Sequence, residues 1–274
     1  IKRGLGNRTA EQRILLYLGI NCTQLEDYQA GRTYQLEALN LLSVTGNRPL
    51  EMRIAGGLGF TLSMLGDYPA ALTYLTRARR ISQEIGWRLQ ESYALHNLCC
   101  LQRKLGNFDL AVEYGEASLR VARQQDSEDA ANWARFHLGY ALLARGDLAQ
   151  AAQTFQQAQD SWHATGRLKQ ARWASAGLAA ARFQQGNATQ ATTLIAPLVP
   201  SLLEQVPQGE EIYEMYLTCH AILSANGDRR AGRLLTTAHT RLQQNASKLT
   251  DRHLLQCFWQ VPAYRKIRDL WQGF

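Results

Sequence analysis

The stretch Leu65–Ile81, LGDYPAALTYLTRARRI, sets the pattern of the whole chain. A Gly66-Asp67 turn precedes a helical segment that carries a small residue, Ala71, in its second turn. The same arrangement recurs with its turn at positions 26, 66, 106, 146, 186 and 227. A step of 40 residues, held with a single slip of one residue, indicates an internal repeat, and a repeat decides the architecture before any other feature does. The sequence therefore predicts a stack of similar units.

Each step has room for two helices. The first helix carries Leu followed by a small residue, at Leu18-Gly19, Leu58-Gly59, Leu98-Cys99, Leu138-Gly139 and Leu178-Ala179. The second helix carries a small residue at positions 31, 71, 111, 151, 191 and 232. Small side chains let neighbouring helices approach closely. Between the helices, Gly supplies a left-handed C-cap and the following Asp or Asn an N-cap oxygen.

The predicted fold is an all-α, right-handed superhelical solenoid of six antiparallel helix pairs over residues 9–249. Residues 1–8 are predicted to be a linker. Residues 250–274 break the repeat and are predicted to form two capping helices divided at Val261-Pro262, because a terminal repeat has one face without a neighbour. Pro197 and Pro200 predict that the second helix of the fifth pair is kinked or cut short.

The Leu-Gly pair, the Gly-Asp-Tyr turn and the small residue of the second helix resemble the tetratricopeptide repeat. The step in that family is usually about 34 residues, so each unit here has about six more. Long repeats of this kind, together with the Val-Pro tail, are similar to the sensor arrays of bacterial multidomain signalling ATPases and of maltose-regulator-type transcription activators. The resemblance implies a nucleotide-binding switch module N-terminal to Ile1 and a role in signal transduction or transcription regulation.

The charge is high but evenly spread. The 274 residues carry a net charge of +7, with 15 basic and 11 acidic residues in positions 1–125 and 15 and 12 in positions 126–274. Nucleic-acid binders usually gather their basic residues on one face or in one tail. Here the short clusters Arg77-Arg79-Arg80 and Arg229-Arg230-Arg233 fall on second helices, so a solvated surface is favoured. Binding of nucleic acid or of another anionic ligand is kept as the alternative function.

Location and membrane association follow from two further features. No apolar run approaches the roughly 18 residues that a transmembrane helix needs, so no membrane association is expected. Five cysteines are an odd number and have no disulfide-framework spacing, which favours reduced thiols in the cytoplasm.

Motifs of catalysis are missing from the sequence. There is no phosphate-binding loop followed by Lys and Ser or Thr, and no HExxH, CxxC or G-x-S-x-G motif, so neither enzymatic activity nor a cofactor is expected. The carboxylates Glu210, Glu211 and Glu214 suit the start of a helix. His96, Cys99 and Cys100 could ligate zinc, with His137 as the candidate from a neighbouring helix. A structural zinc site wants four ligands and Cys99 is already explained by packing, so no metal is predicted.

The 40-residue register predicts which side chains of the first helices face the concave groove. Positions one turn from the Leu-small pair form one wall, with two arginines nearby. The predicted groove residues are Arg53, Tyr93, His96, Asn97, Arg103, Trp133, Phe136, His137, Tyr140 and Trp173. Aromatic rings with a few polar groups are typical of peptide and small-ligand sites.

Packing between repeats is the alternative role for these side chains. For Trp133 and Trp173, packing and groove exposure are equally compatible with the pattern. For His96, Asn97 and His137 the groove is favoured, because each would need a hydrogen-bond partner if it were buried. The sequence thus predicts an interaction and effector-sensing domain of a larger protein. It would bind a peptide segment or a small ligand in its groove and report occupancy by a change of curvature.

Overall fold

A computed structural model describes residues 8–42, 46–204 and 211–273 of the chain. Within these ranges the secondary structure consists of fifteen helices and no strand. They are α1 (Arg8–Gln24), α2 (Tyr28–Asn40), α3 (Arg48–Leu65), α4 (Tyr68–Glu84), α5 (Arg88–Lys104), α6 (Phe108–Gln124), α7 (Glu128–Arg145), α8 (Leu148–Ala164), α9 (Leu168–Gln184), α10 (Ala188–Ile195), α11 (Val199–Leu203), α12 (Ile212–Ala225), α13 (Arg230–Ala246), α14 (Arg252–Gln260) and α15 (Pro262–Gln272). Consecutive helices pack in pairs, which confirms the predicted all-α solenoid. The predicted linker at residues 1–8 lies outside the described residues except for Arg8, which begins α1, and so does Glu210.

The turns between helices have the backbone conformation that the repeat predicts. Gly66, Gly106, Gly146, Gly186 and Gly227 all have positive φ angles, between 67° and 98°. The aspartates that follow the first two turns of the array act as N-caps, since Asp27 accepts from the backbone N–H of Ala30 and Asp67 from that of Ala70. Glu26 has φ 61° at the position that Gly occupies in the next repeats. The first turn is therefore left-handed although it lacks glycine.

The proline and tail predictions are confirmed. The second helix of the fifth pair is divided into α10 and α11, with Pro197 between them and Pro200 in the first turn of α11. The tail forms α14 and α15, which are separated at Val261. Asp251 caps α14 by accepting from the backbone N–H groups of His253 and Leu254.

Small residues allow the close helix contacts that the pattern predicts. A Cβ atom placed on Gly59 would lie 2.7 Å from Leu75 Cγ, and one placed on Gly139 would lie 2.8 Å from two ring atoms of Phe155. The tightest of these contacts is made by Gly177 of α9, whose added Cβ would lie 2.3 Å from Phe155 Cε1. The Phe155 ring of α8 is thus held between α7 and α9.

We expect Gly177→Ala to lower the free energy of unfolding by about 1–3 kcal/mol, because the new methyl group overpacks the site against the buried Phe155 ring. Gly56→Ala is the matched control, since its Cβ would meet Ala78 Cβ at an ordinary 3.8 Å. Alanine there should stabilise α3 by about 0.5–1 kcal/mol through helix propensity. Urea denaturation followed by circular dichroism measures both values. Equal shifts of the same sign would show that the Phe155 ring moves aside.

The last four helices lie across the C-terminal ends of the first helices of earlier repeats. Arg241 of α13 binds Glu26, which follows α1, with an Nη2–Oε1 distance of 2.7 Å. A Cβ on Gly66, after α3, would lie 2.2 Å from the carbonyl oxygen of Cys257 in α14. Arg103, near the end of α5, donates to Glu211, which precedes α12. One end of the concave surface is therefore closed by the C-terminal part of the chain.

The first helix keeps one apolar face uncovered. Ile14 and Leu18 are 44% and 37% exposed, whereas Ile54 and Leu58, which occupy the same positions one repeat later, are fully buried. In α3 this face packs against α2 of the preceding repeat. The described residues place no such helix before α1.

Candidate ligand-binding cavity

A cavity of about 450 Å³ lies inside the curve of the array. Its walls come from α1, the turn after it, α2, α3, α5, α7 and α9, so residues far apart in sequence contribute to one space. The lining side chains that bear aromatic rings or polar groups are Thr23, Gln24, Glu26, Tyr28, Gln35, Phe60, Tyr93, His96, Asn97, Trp133, Lys169, Gln170 and Trp173. The volume falls in the range of about 300–1,000 Å³ that is usual for small-ligand sites.

Aromatic rings from three repeats form one side of the cavity. The ring centroids of Trp133 and Trp173 lie 5.7 Å apart, and those of His96 and Trp133 lie 6.4 Å apart. Tyr93 meets His96 edge-on at 5.5 Å. The side chains on this wall support one another, since such ring pairs add about 0.5–1.5 kcal/mol beyond their buried area.

Amide side chains and two charges complete the walls. Gln24, Gln35, Asn97 and Gln170 supply both hydrogen-bond donors and acceptors. Lys169 Nζ lies 5.4 Å from the centroid of the Trp173 ring, a cation–π distance. Groups of this kind can bind the N–H and C=O groups of a peptide as well as a polar small molecule.

His96 is a buried polar group on the aromatic wall. It is 6% exposed, and among the described residues its Nδ1 atom has no hydrogen-bond partner. Burial lowers the pKa of His96 well below its ordinary value, and the nearby His137 lowers it further. The ring is therefore neutral at pH 7 and offers a hydrogen-bonding atom to an occupant of the cavity.

Half of the predicted groove residues line this cavity: Tyr93, His96, Asn97, Trp133 and Trp173. The other five lie elsewhere. Arg53 donates to the hydroxyl of Tyr17 at 3.1 Å and lies over that ring. It is thus engaged on the surface and does not line the cavity.

Phe136 and His137 lie inside the stack of helices. Phe136 is fully buried, with its ring 5.8 Å from Trp162 of α8 and 6.3 Å from Trp173 of α9. Its helical phase points it towards the outer helix and the next repeat, so the side chain packs between repeats. His137 is 2% exposed and stacks on His96 at 4.9 Å.

Arg103 and Tyr140 line a second cavity, of about 290 Å³, beneath the closing helices. Arg103 donates to Glu211 at 2.8 Å and to Glu214 at 3.0 Å, and it lies 5.2 Å from the Tyr140 ring centroid. The two glutamates were expected to suit the start of α12, and they also hold that helix to α5. Arg103 therefore acts in closure of the array.

Sequence reasoning missed the contributions of Gln35, Lys169 and Gln170. Lys169 and Gln170 lie in the first turn of α9, and Gln35 lies on α2, a second helix of a pair. The register of the first helices contains no signal for them. Phe60 was a stronger candidate, since it stands 40 residues before Cys100 and 80 before Tyr140 on one predicted line.

The architecture defines a class of protein, the helical-repeat solenoids with an internal cavity. Two segments match models of the tetratricopeptide repeat, residues 11–84 and residues 132–157. The chain therefore contains tetratricopeptide repeats, as the sequence pattern indicated. A comparison with curated proteins found no match.

Solved structures share the fold at low sequence identity. A Rap protein complexed with the competence and sporulation factor has a TM-score of 0.71 and 14% identity, and the match covers 96% of this chain and 76% of that one. The Rap conjugation gene regulator of the plasmid pLS20, in complex with a Phr peptide, has a TM-score of 0.59 and 14% identity, covering 98% and 79%.

A signal-transduction ATPase with numerous domains and a tetratricopeptide-repeat sensor, from Pyrococcus horikoshii, is also similar. Its TM-score is 0.59 and its identity 14%, with 93% of this chain and 40% of that chain covered. At such identities these likenesses show the fold alone. No helix among the described residues is long and apolar enough to cross a membrane.

Proposed function

We propose that this chain is a recognition module that binds a short peptide segment, or an effector of similar size, in its central cavity. The observation that carries the proposal is the cavity of about 450 Å³, with an aromatic wall on one side and amide side chains on the others. Aromatic rings supply contact area at low entropic cost, and amides satisfy the backbone groups of a bound peptide. The fold shared with a regulator that is complexed with a Phr peptide supports the same class of ligand.

Occupancy would act through the shape of the array. In a solenoid each repeat contacts its neighbours alone, so small shifts at several interfaces add up to a change of curvature. A ligand that contacts α1, α5 and α9 together favours one curvature over others. We propose that a nucleotide-binding switch module N-terminal to the array receives this signal. The uncovered face of α1, with Ile14 and Leu18, is a suitable place for such a module to pack.

A non-enzymatic role in the cytoplasm belongs to the same proposal. All five cysteines are free, as is usual for proteins of a reducing compartment. The basic clusters give little support to nucleic-acid binding, because their charges are partly neutralised. Arg77 binds Glu51 at 2.6 Å, Arg80 lies 3.5 Å from Glu84, and Arg230 binds Asp228 at 2.6 Å.

The test uses a randomised pool of synthetic pentapeptides. Peptides retained by the purified chain after gel filtration are identified by mass spectrometry, and the affinity of the best one is measured by calorimetry. We expect Asn97→Ala combined with Gln170→Ala to weaken its binding at least tenfold. These half-buried or exposed amides are chosen because Trp133 and His137 are packed among rings, where alanine would disturb the fold.

Gln153→Ala combined with Gln157→Ala is the control, since both amides are exposed on α8, away from the cavity. The control should bind as the parent chain does. Retention of no peptide by the parent chain, or equal binding by all three proteins, would contradict the proposal.

A further inference from the structure

Three metal-ligating side chains meet at the junction of α5, α7 and the start of α12. They are Cys100, His137 and Glu211, and their ligand atoms all lie within 4.8 Å of one another. All three side chains are buried, at 7%, 2% and 7% exposure. They come from three separate helical segments, with Glu211 lying 111 residues after Cys100. The closure of the array brings them together.

The ligand set and spacing suit zinc. In a tetrahedral zinc site the ligand atoms lie about 3.3–3.8 Å apart, given metal–ligand distances of about 2.0–2.3 Å. Cys100 Sγ already lies 3.3 Å from Glu211 Oε1. The remaining pairs, at no more than 4.8 Å, need to contract by no more than about 1.5 Å to meet a metal. Thiolate and imidazole together favour zinc over magnesium or calcium.

Neighbouring charges leave the carboxylate able to bind a cation. Arg103 donates to Glu211 Oε1 at 2.8 Å, and its own charge is shared with Glu214 at 3.0 Å. The other positive group nearby, Lys104, contacts Ser63 and Met64 at 3.3 Å and 3.4 Å. A carboxylate that ligates a metal is commonly oriented by such a hydrogen bond, and Oε2 keeps its lone pairs for the metal.

A separate observation concerns the Tyr68 hydroxyl. Its oxygen is buried and has no hydrogen-bond partner among the described residues. Tyr68 is close enough to Cys100, Arg103 and Glu211 for their charges to act on it. With three protein ligands, zinc keeps a fourth position for water. A water molecule there gives the isolated hydroxyl a partner.

We propose that Cys100, His137 and Glu211 bind one zinc ion, which joins α5 and α7 to the start of α12. The ion would fasten the closing helices to the third and fourth repeats. This site is separate from the central cavity and does not depend on the binding of a peptide.

Two matched pairs of variants test the proposal. Cys100→Ala and His137→Gln remove ligands, whereas Cys99→Ala and His96→Gln change the neighbouring residues of the same types. Cys99 fills the small-residue position where other repeats have Gly or Ala, so alanine should fit there. After treatment with a chelator, each protein is titrated with zinc in competition with a chromophoric indicator, and bound metal is counted by mass spectrometry.

We expect one zinc per parent chain, an affinity loss of at least 100-fold for Cys100→Ala and His137→Gln, and a loss below threefold for the two controls. Glu211→Gln, which keeps size and shape, should lose at least tenfold. Because a ligand variant could fail to fold, the parent chain is also loaded with cobalt(II), where thiolate ligation gives a charge-transfer band in the near ultraviolet. Absence of that band, or zinc binding that Cys99→Ala weakens as much as Cys100→Ala does, would overturn the proposal.

Discussion

Arg241→Ala is expected to lower the free energy of unfolding by about 3–5 kcal/mol, because it leaves the Glu26 carboxylate buried without its counter-charge. Glu26 and Arg241 are 6% and 9% exposed, and Arg241 reaches both carboxylate oxygens at 2.7–3.2 Å. Tyr213 also donates to Glu26, at 3.1 Å. The measurement is urea denaturation at pH 7, with circular dichroism for the helices and tryptophan fluorescence for the packing.

Arg230→Ala is the matched control on the same helix. Arg230 binds Asp228 with its side chain 50% exposed, and exposed pairs of this kind contribute about 0–1 kcal/mol. Replacing the buried pair together, as Glu26→Gln with Arg241→Met, should recover much of the loss, since no unpaired charge then remains buried. If Arg241→Ala costs no more than Arg230→Ala, the pair does not hold the first repeat to the sixth.

The conformation of Glu26 shows that closure matters to this chain. Glu26 adopts a left-handed backbone, φ 61°, which costs a non-glycine residue roughly 1–2 kcal/mol. The following repeats use glycine at this position and avoid that cost. A carboxylate is retained here because its side chain reaches Arg241 and Asn245 of α13. The strain at the turn is offset by the buried network that closes the array.

The fold could be predicted because its signals are local and repeat. Gly66 and Asp67 each specify a turn from their own conformational preferences, and the same pair of preferences recurs every 40 residues. The same register placed Tyr93, Trp133 and Trp173 on one line, and these three side chains do line the cavity. Helix limits and the aromatic wall both follow from the period.

Closure could not be predicted, because it depends on contacts that do not repeat. Arg103 was expected in the groove, but its partners Glu211 and Glu214 lie more than 100 residues later and reach it when the sixth repeat returns to the third. Phe136 differs for another reason. A shift of one residue on a helix turns the side chain by 100°, which separates the groove from the packing face. A usable signal was the departure from glycine at Glu26.

The second large effect is expected at Leu58, and it also tests what covers the first repeat. Leu58→Ala should lower the free energy of unfolding by about 2–5 kcal/mol, since Leu58 is fully buried between α2, α3 and their neighbours. Leu18→Ala, the same substitution 40 residues earlier, should cost about 1 kcal/mol or less because Leu18 is 37% exposed. Urea denaturation of both variants gives the difference. Equal losses would show that α1 is covered in solution, for instance by a second copy of the chain, which gel filtration would detect. The same pair in a longer polypeptide that carries an N-terminal module then tests the proposed packing. A module on α1 buries Leu18, so its truncation should there approach the loss at Leu58, whereas an unchanged small loss would place the module elsewhere.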